Sequence, residues 1–217
     1  MIRLIMVRHG QTTWNAQKRY QGQSDVPLDE TGRQQATALA RYFASEHINT
    51  IYSSDLQRAV QTAQAIARAT AVPVIADVRL REIAFGRWEG LTYMEIQERW
   101  PEEYQGWQND PLARVPPGGE TLAQIEQRVG AFVGDIRRKH DGQTVLVVAH
   151  GGSLRALVCH ALELPSHVFW RLGLASGSVS ELHLYSDTAI LTLFNDRHPV
   201  AEIEASPWIG SPDTGGK

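Results

Sequence analysis

Short apolar runs alternate with amphipathic segments along most of this 217-residue chain. The runs over residues 4–7 and 144–149 are almost continuously apolar, and this pattern predicts buried parallel strands. Further strands are predicted over residues 48–52, 72–75, 178–185 and 189–194. Between the strands, apolar residues at helical spacing predict helices over about residues 32–46, 56–69, 122–136 and 153–164. This alternation predicts an α/β domain with a mostly parallel sheet.

Residues 80–120 show no sustained pattern of either kind. Thr92 and Glu95 form a capping-box pair, which predicts the start of a short helix. Four prolines then interrupt any longer element, namely Pro101, Pro111, Pro116 and Pro117. We predict a small cap insertion at about residues 83–120 within one domain that covers residues 1–205. Residues 206–217 are rich in Gly, Ser and Pro, and they are predicted to be a disordered tail.

The composition is that of a soluble globular protein, with 42% hydrophobic and 21% charged residues. The net charge of −3 and the lack of a basic run argue against a nucleic-acid partner. The N-terminus lacks a signal-peptide pattern, and no stretch approaches the ~20 apolar residues of a membrane span. We therefore expect a cytoplasmic protein without a membrane partner. The single cysteine, Cys159, lies in an apolar run and is expected to be a buried helix residue.

Two predicted strands end in the same way, with a histidine and a glycine. Residues 4–7 lead into Arg8, His9 and Gly10, and residues 144–149 lead into His150 and Gly151. The carboxyl ends of parallel strands share one edge of a sheet, where ligands bind in open α/β folds. For the first tripeptide alone, a capped histidine beside a surface cation is the better interpretation. The repetition of the pattern on a second strand instead predicts a functional site.

Two further polar residues follow other predicted strands. Arg58 begins the helix after residues 48–52, and Glu82 comes shortly after residues 72–75. Together with Arg8, His9 and His150 at the two strand ends, they form a set of cations, hydrogen-bond donors and one acid. This set suits a dianionic phosphoryl group, which arginines bind through charge-assisted hydrogen bonds. From the residues alone, a surface carboxylate is an equally good interpretation of Glu82.

The motifs around these residues resemble those of a known family. The matching stretches are 7–15 (VRHGQTTWN), 52–59 (YSSDLQRA), 82–90 (EIAFGRWEG), 118–121 (GGET) and 148–152 (VAHGG), with shorter matches at 21–22, 27–28, 31–32, 35–36 and 62–63. Their order and spacing resemble those of the phosphoglycerate-mutase-like branch of the histidine phosphatase superfamily. The resemblance implies a three-layer sandwich with helices on both faces of the sheet.

The resemblance also assigns roles to the candidate residues. His9 would be the nucleophile that takes the phosphoryl group as a phosphohistidine, and Glu82 would exchange protons with the leaving alcohol and with water. The residues expected to hold the phosphoryl oxygens are Arg8, Asn15, Gln21, Arg58, His150 and Gly151. Phe85, Trp88 and Tyr93 are candidates for the substrate side of the pocket, although packing within the cap is the better interpretation of the tryptophans. No metal or other cofactor is expected, because the arginines supply the positive charge.

The same residues serve both mutases and phosphatases, so the reaction must be predicted from other positions. Phosphoglycerate mutases of this family carry a longer insertion with a lysine and paired arginines that hold the substrate carboxylate. Here Tyr93 stands where the lysine would be, and no paired arginines occur before Thr121. These differences favour a phosphatase that transfers the phosphoryl group to water, with a phosphoglycerate mutase as the alternative.

The expected partner is a small-molecule phosphomonoester. The chain resembles α-ribazole phosphatases, and about equally metal-independent phosphoserine phosphatases and broad-specificity enzymes. The phosphoserine enzymes carry a histidine where Phe85 stands, which favours a bulkier or less polar alcohol. Homodimers are common in this family, so a second copy of the chain is one expected partner. A non-catalytic module that binds phosphate esters is the alternative from another class, although His9, Arg58, Glu82 and His150 are all present.

Overall fold

A computed structural model describes residues 1–203 of the chain. The predicted tail over residues 206–217 and the end of the predicted domain lie outside these residues. Within them, the sheet consists of β1 (Ile2–Arg8), β2 (Thr50–Ser53), β3 (Val74–Ala76), β4 (Thr144–Ala149), β5 (Val179–Leu184) and β6 (Ala189–Asp196). The strand order is β3-β2-β4-β1-β5-β6. The first four strands are parallel to one another, and β5 and β6 add antiparallel pairs at one side.

Helices cover both faces of this sheet, as the predicted sandwich requires. They are α1 (Thr13–Ala16), α2 (Glu30–Phe43), α3 (Gln57–Thr70), α4 (Tyr93–Arg99), α5 (Pro101–Asn109), α6 (Leu122–Lys139) and α7 (Gly151–Ala161). One hydrophobic cluster packs α2 and α3 against Ile5 and Val7 of β1. A second cluster packs α6 and α7 against Leu4 and Met6. Alternate residues of β1 therefore face opposite helix layers, which confirms the predicted three-layer α/β fold.

Local side-chain chemistry sets most helix starts. The Asp29 side chain accepts from the Gly32 N–H, so α2 begins at Glu30, earlier than the predicted residue 32. Capping boxes at Thr92 and Thr121 open α4 and α6, and the first of them confirms the prediction from the sequence. Pro101 is the first residue of α5, a position where the missing N–H is not needed.

The predicted cap region consists of short elements joined by turns. The 3₁₀ turn Gly86–Trp88 precedes α4 and α5, and another 3₁₀ turn, Val78–Leu80, lies just before this region. Its aromatic side chains pack edge to face, with Trp88 and Trp107 ring centroids 5.5 Å apart. The predicted position of Cys159 is confirmed, since it is buried in α7 and burial raises its pKa to about 11. None of the helices over residues 1–203 has the length and apolar character needed to cross a bilayer.

Candidate active site

Two imidazoles meet at the carboxyl edge of the sheet. β1 and β4 are neighbouring parallel strands, and Arg8 is paired with Ala149 at their ends. His9 and His150 are the next residues of the chain after these two, and the His9 backbone N–H donates to the Ala149 carbonyl at 3.0 Å. The two rings lie edge to face, with centroids 5.0 Å apart. The strand register thus brings together two histidines that are far apart in the sequence.

The hydrogen bonding of His9 leaves its Nε2 atom available as a nucleophile. Its Nδ1 atom lies 2.6 Å from the Gly10 carbonyl oxygen. A carbonyl can only accept, so Nδ1 carries the proton and Nε2 keeps its lone pair in the neutral ring. Burial, followed by the charges of Arg58 and Arg8, lowers the pKa of His9 well below its usual value. The neutral, nucleophilic ring is therefore the form present at pH 7.

His150 has the opposite arrangement of proton and lone pair. The Arg58 Nε–H donates to Nδ1 of His150 at 3.2 Å, so Nδ1 carries the lone pair and Nε2 carries the proton in the neutral ring. This Nε2 atom is buried and has no hydrogen-bond partner among residues 1–203. Burial and then the charge of Arg58 lower the pKa of His150 well below its usual value. His150 therefore presents one N–H donor that is free to bind an oxyanion.

Arg58 is held rigidly near the start of α3. It is fully buried, and its Nη1 and Nη2 atoms donate to the carbonyl oxygens of Ser24 at 2.7 Å and Gly22 at 2.8 Å. Burial lowers the pKa of Arg58 to about 10, so the side chain remains charged at pH 7. Its bonds to His150 and to the two carbonyls leave further N–H groups of the guanidinium for an oxyanion. Arg58 is thus a fixed cation beside both imidazoles.

Arg8, the residue before His9, supplies a second cation. Its Nη1 atom donates to the Leu174 carbonyl, whereas the buried Nε atom has no partner among residues 1–203. A Cβ built on Gly151 would lie 3.7 Å from this Nε atom and 3.8 Å from Glu82 Oε2. Arg8, Glu82 and the first residue of α7 therefore surround one small space. A helix N-terminus at this point favours an anion.

One carboxylate oxygen of Glu82 is fixed, and the other is free to exchange protons. Oε1 accepts from the N–H groups of Gly152 at 2.8 Å and Ile83 at 2.9 Å. A Cβ on Gly152 would lie only 2.2 Å from Oε1, so only glycine at this position leaves room for the carboxylate at the N-terminus of α7. Oε2 lies on the side of Gly151 and Arg8. This arrangement suits a general acid and base.

Asn15 and Gln21 are linked to the site through Thr12. The Thr12 backbone N–H donates to Asn15 Oδ1 at 3.0 Å, and the Thr12 hydroxyl donates to Gln21 Oε1 at 2.9 Å. These bonds use the amide oxygens and leave both NH₂ groups as donors. Thr12 is three residues after His9 in the chain. Both remain candidate phosphate donors.

The three predicted wall residues lie in different environments. Trp88 is fully buried and packs edge to face on Tyr104 and Trp107, so the prediction that it forms the substrate wall was wrong in this structure. Phe85 is nearly buried, whereas Tyr93 on α4 is 45% exposed. The sequence does not show which face of the cap Phe85 and Trp88 occupy, because both belong to a short 3₁₀ turn.

Sequence reasoning missed the side chain that holds the backbone of Glu82. Arg128 on α6 donates to the carbonyls of Arg79, Arg81 and Glu82 at 2.6, 2.7 and 3.0 Å. The carboxylate of Glu120 accepts from the same guanidinium at 2.7 and 2.8 Å. No local spacing predicts this contact, because Arg128 is 46 residues from Glu82.

A second missed arginine supports the segment that binds Arg8. Arg155 is buried in α7, and its Nε atom donates at 2.8 Å to the carbonyl of Leu172, two residues before Leu174. The sequence did contain a sign of this contact, because Arg155 is the one charged residue among the otherwise apolar residues 154–158. An arginine in a buried run needs buried partners.

A model of the histidine phosphatase superfamily (branch 1) matches residues 4–197, which include every candidate residue described above. The chain belongs to the histidine phosphatase superfamily. This histidine phosphatase is 38% identical over 195 residues to phosphoserine phosphatase 1 of Hydrogenobacter thermophilus, covering 90% of this chain and 92% of that protein.

Solved structures give the same assignment. The α-ribazole phosphatase of Shigella flexneri superposes with a TM-score of 0.84 at 29% identity, covering 90% of this chain and 96% of that one. A mycobacterial glucosyl-3-phosphoglycerate phosphatase superposes with a TM-score of 0.82 at 36% identity, covering 89% of this chain and 98% of that one. This histidine phosphatase is therefore a phosphatase with the fold that its sequence motifs predicted.

We expect the free energy of unfolding of this histidine phosphatase to fall as the pH drops below about 6.5. Because burial lowers the pKa of His9 and His150, the unfolded chain binds protons there that the folded protein does not. The slope is at most about 1.4 kcal/mol per pH unit for each imidazole. Urea unfolding of wild type and His9→Ala at about pH 7 and about pH 5.5 measures it. The variant should lose less stability than wild type, and equal losses would contradict the assignment.

Proposed function

We propose that this phosphatase is a metal-independent phosphomonoester hydrolase that works through a phosphohistidine on His9. The observation that carries the proposal is that the two neighbouring histidines at the sheet edge carry their protons on different ring nitrogens. His9 offers a lone pair on Nε2, and His150 offers an Nε2–H donor at a neighbouring position. Arg8 and Arg58 place two fixed positive charges beside them. A nucleophile with surrounding oxyanion donors is what phosphoryl transfer requires.

The first half of the proposed reaction forms a bond from His9 Nε2 to phosphorus and breaks the ester bond from phosphorus to oxygen. Arg8, Arg58 and His150 bind the non-bridging oxygens, whose charge they stabilise in the transition state. Asn15, Gln21 and Gly151 supply further N–H donors. Glu82 gives the proton on Oε2 to the departing alkoxide, which leaves as the alcohol.

The second half transfers the phosphoryl group from His9 to water. Glu82, now ionised, accepts a proton from the attacking water as the new bond from oxygen to phosphorus forms and the bond to Nε2 breaks. Inorganic phosphate leaves, and Glu82 is again protonated. The two N–H groups on Oε1 hold the carboxyl group in place through both steps.

We infer that the substrate is a small phosphate ester of the α-ribazole 5′-phosphate type, or one of a broad range of such esters. An apolar side chain at Phe85, three residues after Glu82 in the chain, supports a bulky or weakly polar alcohol. Phosphoserine is a second candidate, which the identity to a phosphoserine phosphatase favours. Phosphoglycerate isomerisation is the remaining alternative, and the absence of a lysine at Tyr93 disfavours it.

The proposal is tested by incubating the protein with p-nitrophenyl phosphate in excess EDTA. Phosphate release that EDTA does not reduce is expected. A substrate panel of α-ribazole 5′-phosphate, phosphoserine and glucosyl-3-phosphoglycerate then ranks the alcohols by kcat/KM. A parallel assay with 3-phosphoglycerate and 2,3-bisphosphoglycerate measures isomerisation. Loss of phosphate release in EDTA, or isomerisation without release, would contradict the proposed function.

A further inference from the structure

A carboxylate outside the proposed catalytic set accepts four hydrogen bonds from two segments of the site. Oε1 of Glu89 accepts from the N–H groups of Gln23 at 3.0 Å and Phe85 at 3.1 Å. Oε2 accepts from the Ser24 N–H at 2.9 Å and from the Ser24 hydroxyl at 2.6 Å. Glu89 therefore joins the loop over residues 22–24 to the backbone that follows Glu82.

The loop is shaped to receive this carboxylate. A Cβ built on Gly22 would lie 2.0 Å from Oε1 of Glu89, and Gly22 has a φ of +51°. Both facts require glycine, because a side chain would displace the carboxylate and the left-handed backbone would be strained. The carboxylate thus packs directly on the loop backbone.

The opposite side of the same loop binds the Arg58 guanidinium. The carbonyls of Gly22 and Ser24 accept from Nη2 and Nη1 of Arg58, while the N–H groups of Gln23 and Ser24 point to Glu89. The Gly22 carbonyl and the Gln23 N–H belong to one planar peptide unit, so the bond from Gln23 to Glu89 fixes the direction of the carbonyl that accepts from Arg58 Nη2. A change at Glu89 would therefore be transmitted through the loop to Arg58.

We propose that Glu89 is a positioning residue for Arg58, acting through the loop over residues 22–24. The proposal rests on the proposed function in assigning Arg58 to the phosphoryl group. A carboxylate at this place satisfies four donors without touching the guanidinium, so Arg58 keeps its charge for the substrate. Without the carboxylate, the Gly22 carbonyl loses its fixed direction, and Arg58 loses its alignment with His150.

The test uses Glu89→Gln, which keeps the size of the side chain but replaces one accepting oxygen with an NH₂ group. We expect kcat/KM for p-nitrophenyl phosphate to fall about 10-fold to 100-fold, because small displacements of a positioning group have effects of this size. The dissociation constant of orthovanadate, an oxyanion probe, should rise in the same variant. Ser24→Ala removes only the 2.6 Å bond and should show a smaller change in the same direction.

A matched control is Glu95→Gln, the same substitution at another carboxylate of the cap region. Glu95 accepts from the Thr92 N–H and hydroxyl and pairs with Arg19, but it does not contact the loop that holds Arg58. Its kcat/KM should stay close to that of wild type. All assays are run well below the melting temperature of each variant, so that loss of folded protein does not affect the measured kcat/KM or dissociation constant.

A double-mutant cycle with Arg58→Ala separates a positioning role of Glu89 from a structural role that does not act through Arg58. In that background, Glu89→Gln should change vanadate binding by less than about threefold, since the group it positions is gone. An effect as large as in wild type would overturn the proposal, and so would unchanged binding in Glu89→Gln itself.

Vanadate binding, measured by calorimetry, does not depend on turnover. If wild type binds vanadate but releases no phosphate from any ester, the proposed function fails while the test of Glu89 still gives an answer. If wild type does not bind vanadate, Arg58 does not hold an oxyanion and the positioning proposal is overturned.

Discussion

His9→Ala is expected to lower phosphate release by at least about 10⁴-fold, as for the loss of other covalent nucleophiles. The other imidazole of the site cannot replace it, because Nδ1 of His150 is bonded to Arg58 and its Nε2 carries the proton. A methyl group at position 9 leaves the arginines in place, so an oxyanion should still bind. Steady-state kinetics with p-nitrophenyl phosphate, together with vanadate calorimetry, measure the two effects separately.

The control for this variant is His140→Ala. His140 is also a buried imidazole, but it bonds to the Tyr52 hydroxyl at 3.0 Å and belongs to the opposite end of the sheet. Its loss should affect stability and leave turnover near that of wild type. Substantial phosphate release by folded His9→Ala would show that His9 is not the nucleophile.

Glu82→Gln is expected to lower kcat for an alkyl phosphate by about 10²-fold to 10⁴-fold, the usual contribution of a general acid and base. The amide oxygen can still accept from Gly152 and Ile83, so the fold around the site should persist. An NH₂ group in place of Oε2 cannot protonate an alkoxide or accept a proton from water. The leaving group of p-nitrophenyl phosphate needs no proton. With this ester, the rate of phosphoryl transfer to His9 should be close to that of wild type, and transfer from His9 to water should be slow.

Rapid-mixing kinetics test this difference between the two steps. Glu82→Gln should release a burst of p-nitrophenol that is equal to the enzyme concentration, followed by slow turnover. Glu95→Gln again serves as the control and should show the kinetics of wild type. Equal losses for alkyl and p-nitrophenyl esters, without a burst, would remove Glu82 from the proton-transfer role.

The sequence predicted the parts of the site that depend on strand ends. An apolar run followed by His-Gly occurs twice, and parallel pairing of β1 and β4 is enough to bring His9 and His150 together. Arg58 and Glu82 were candidates because they follow other predicted strands, and the family resemblance assigned their roles. The meeting of these two histidines could be predicted because strand ends are local features that a pattern of apolar residues reveals.

The contacts that orient these residues could not be predicted in the same way. The tautomers of His9 and His150 depend on a carbonyl and a guanidinium whose positions only the folded chain defines. Glu82 rests on Gly152, which is 70 residues away. Trp88 was misplaced because an aromatic residue in a short 3₁₀ turn has no periodic neighbours to show which side is buried.

The central claim is that a phosphoryl group is transferred to Nε2 of His9, and trapping that group tests it most directly. Glu82→Gln is mixed with p-nitrophenyl phosphate, quenched in alkali, digested and analysed by peptide mass spectrometry. The account predicts an acid-labile phosphoryl group on the peptide that contains His9, and none in the His9→Ala/Glu82→Gln double variant. A phosphoryl group on another residue, or turnover by direct attack of water with no covalent intermediate, would contradict the account.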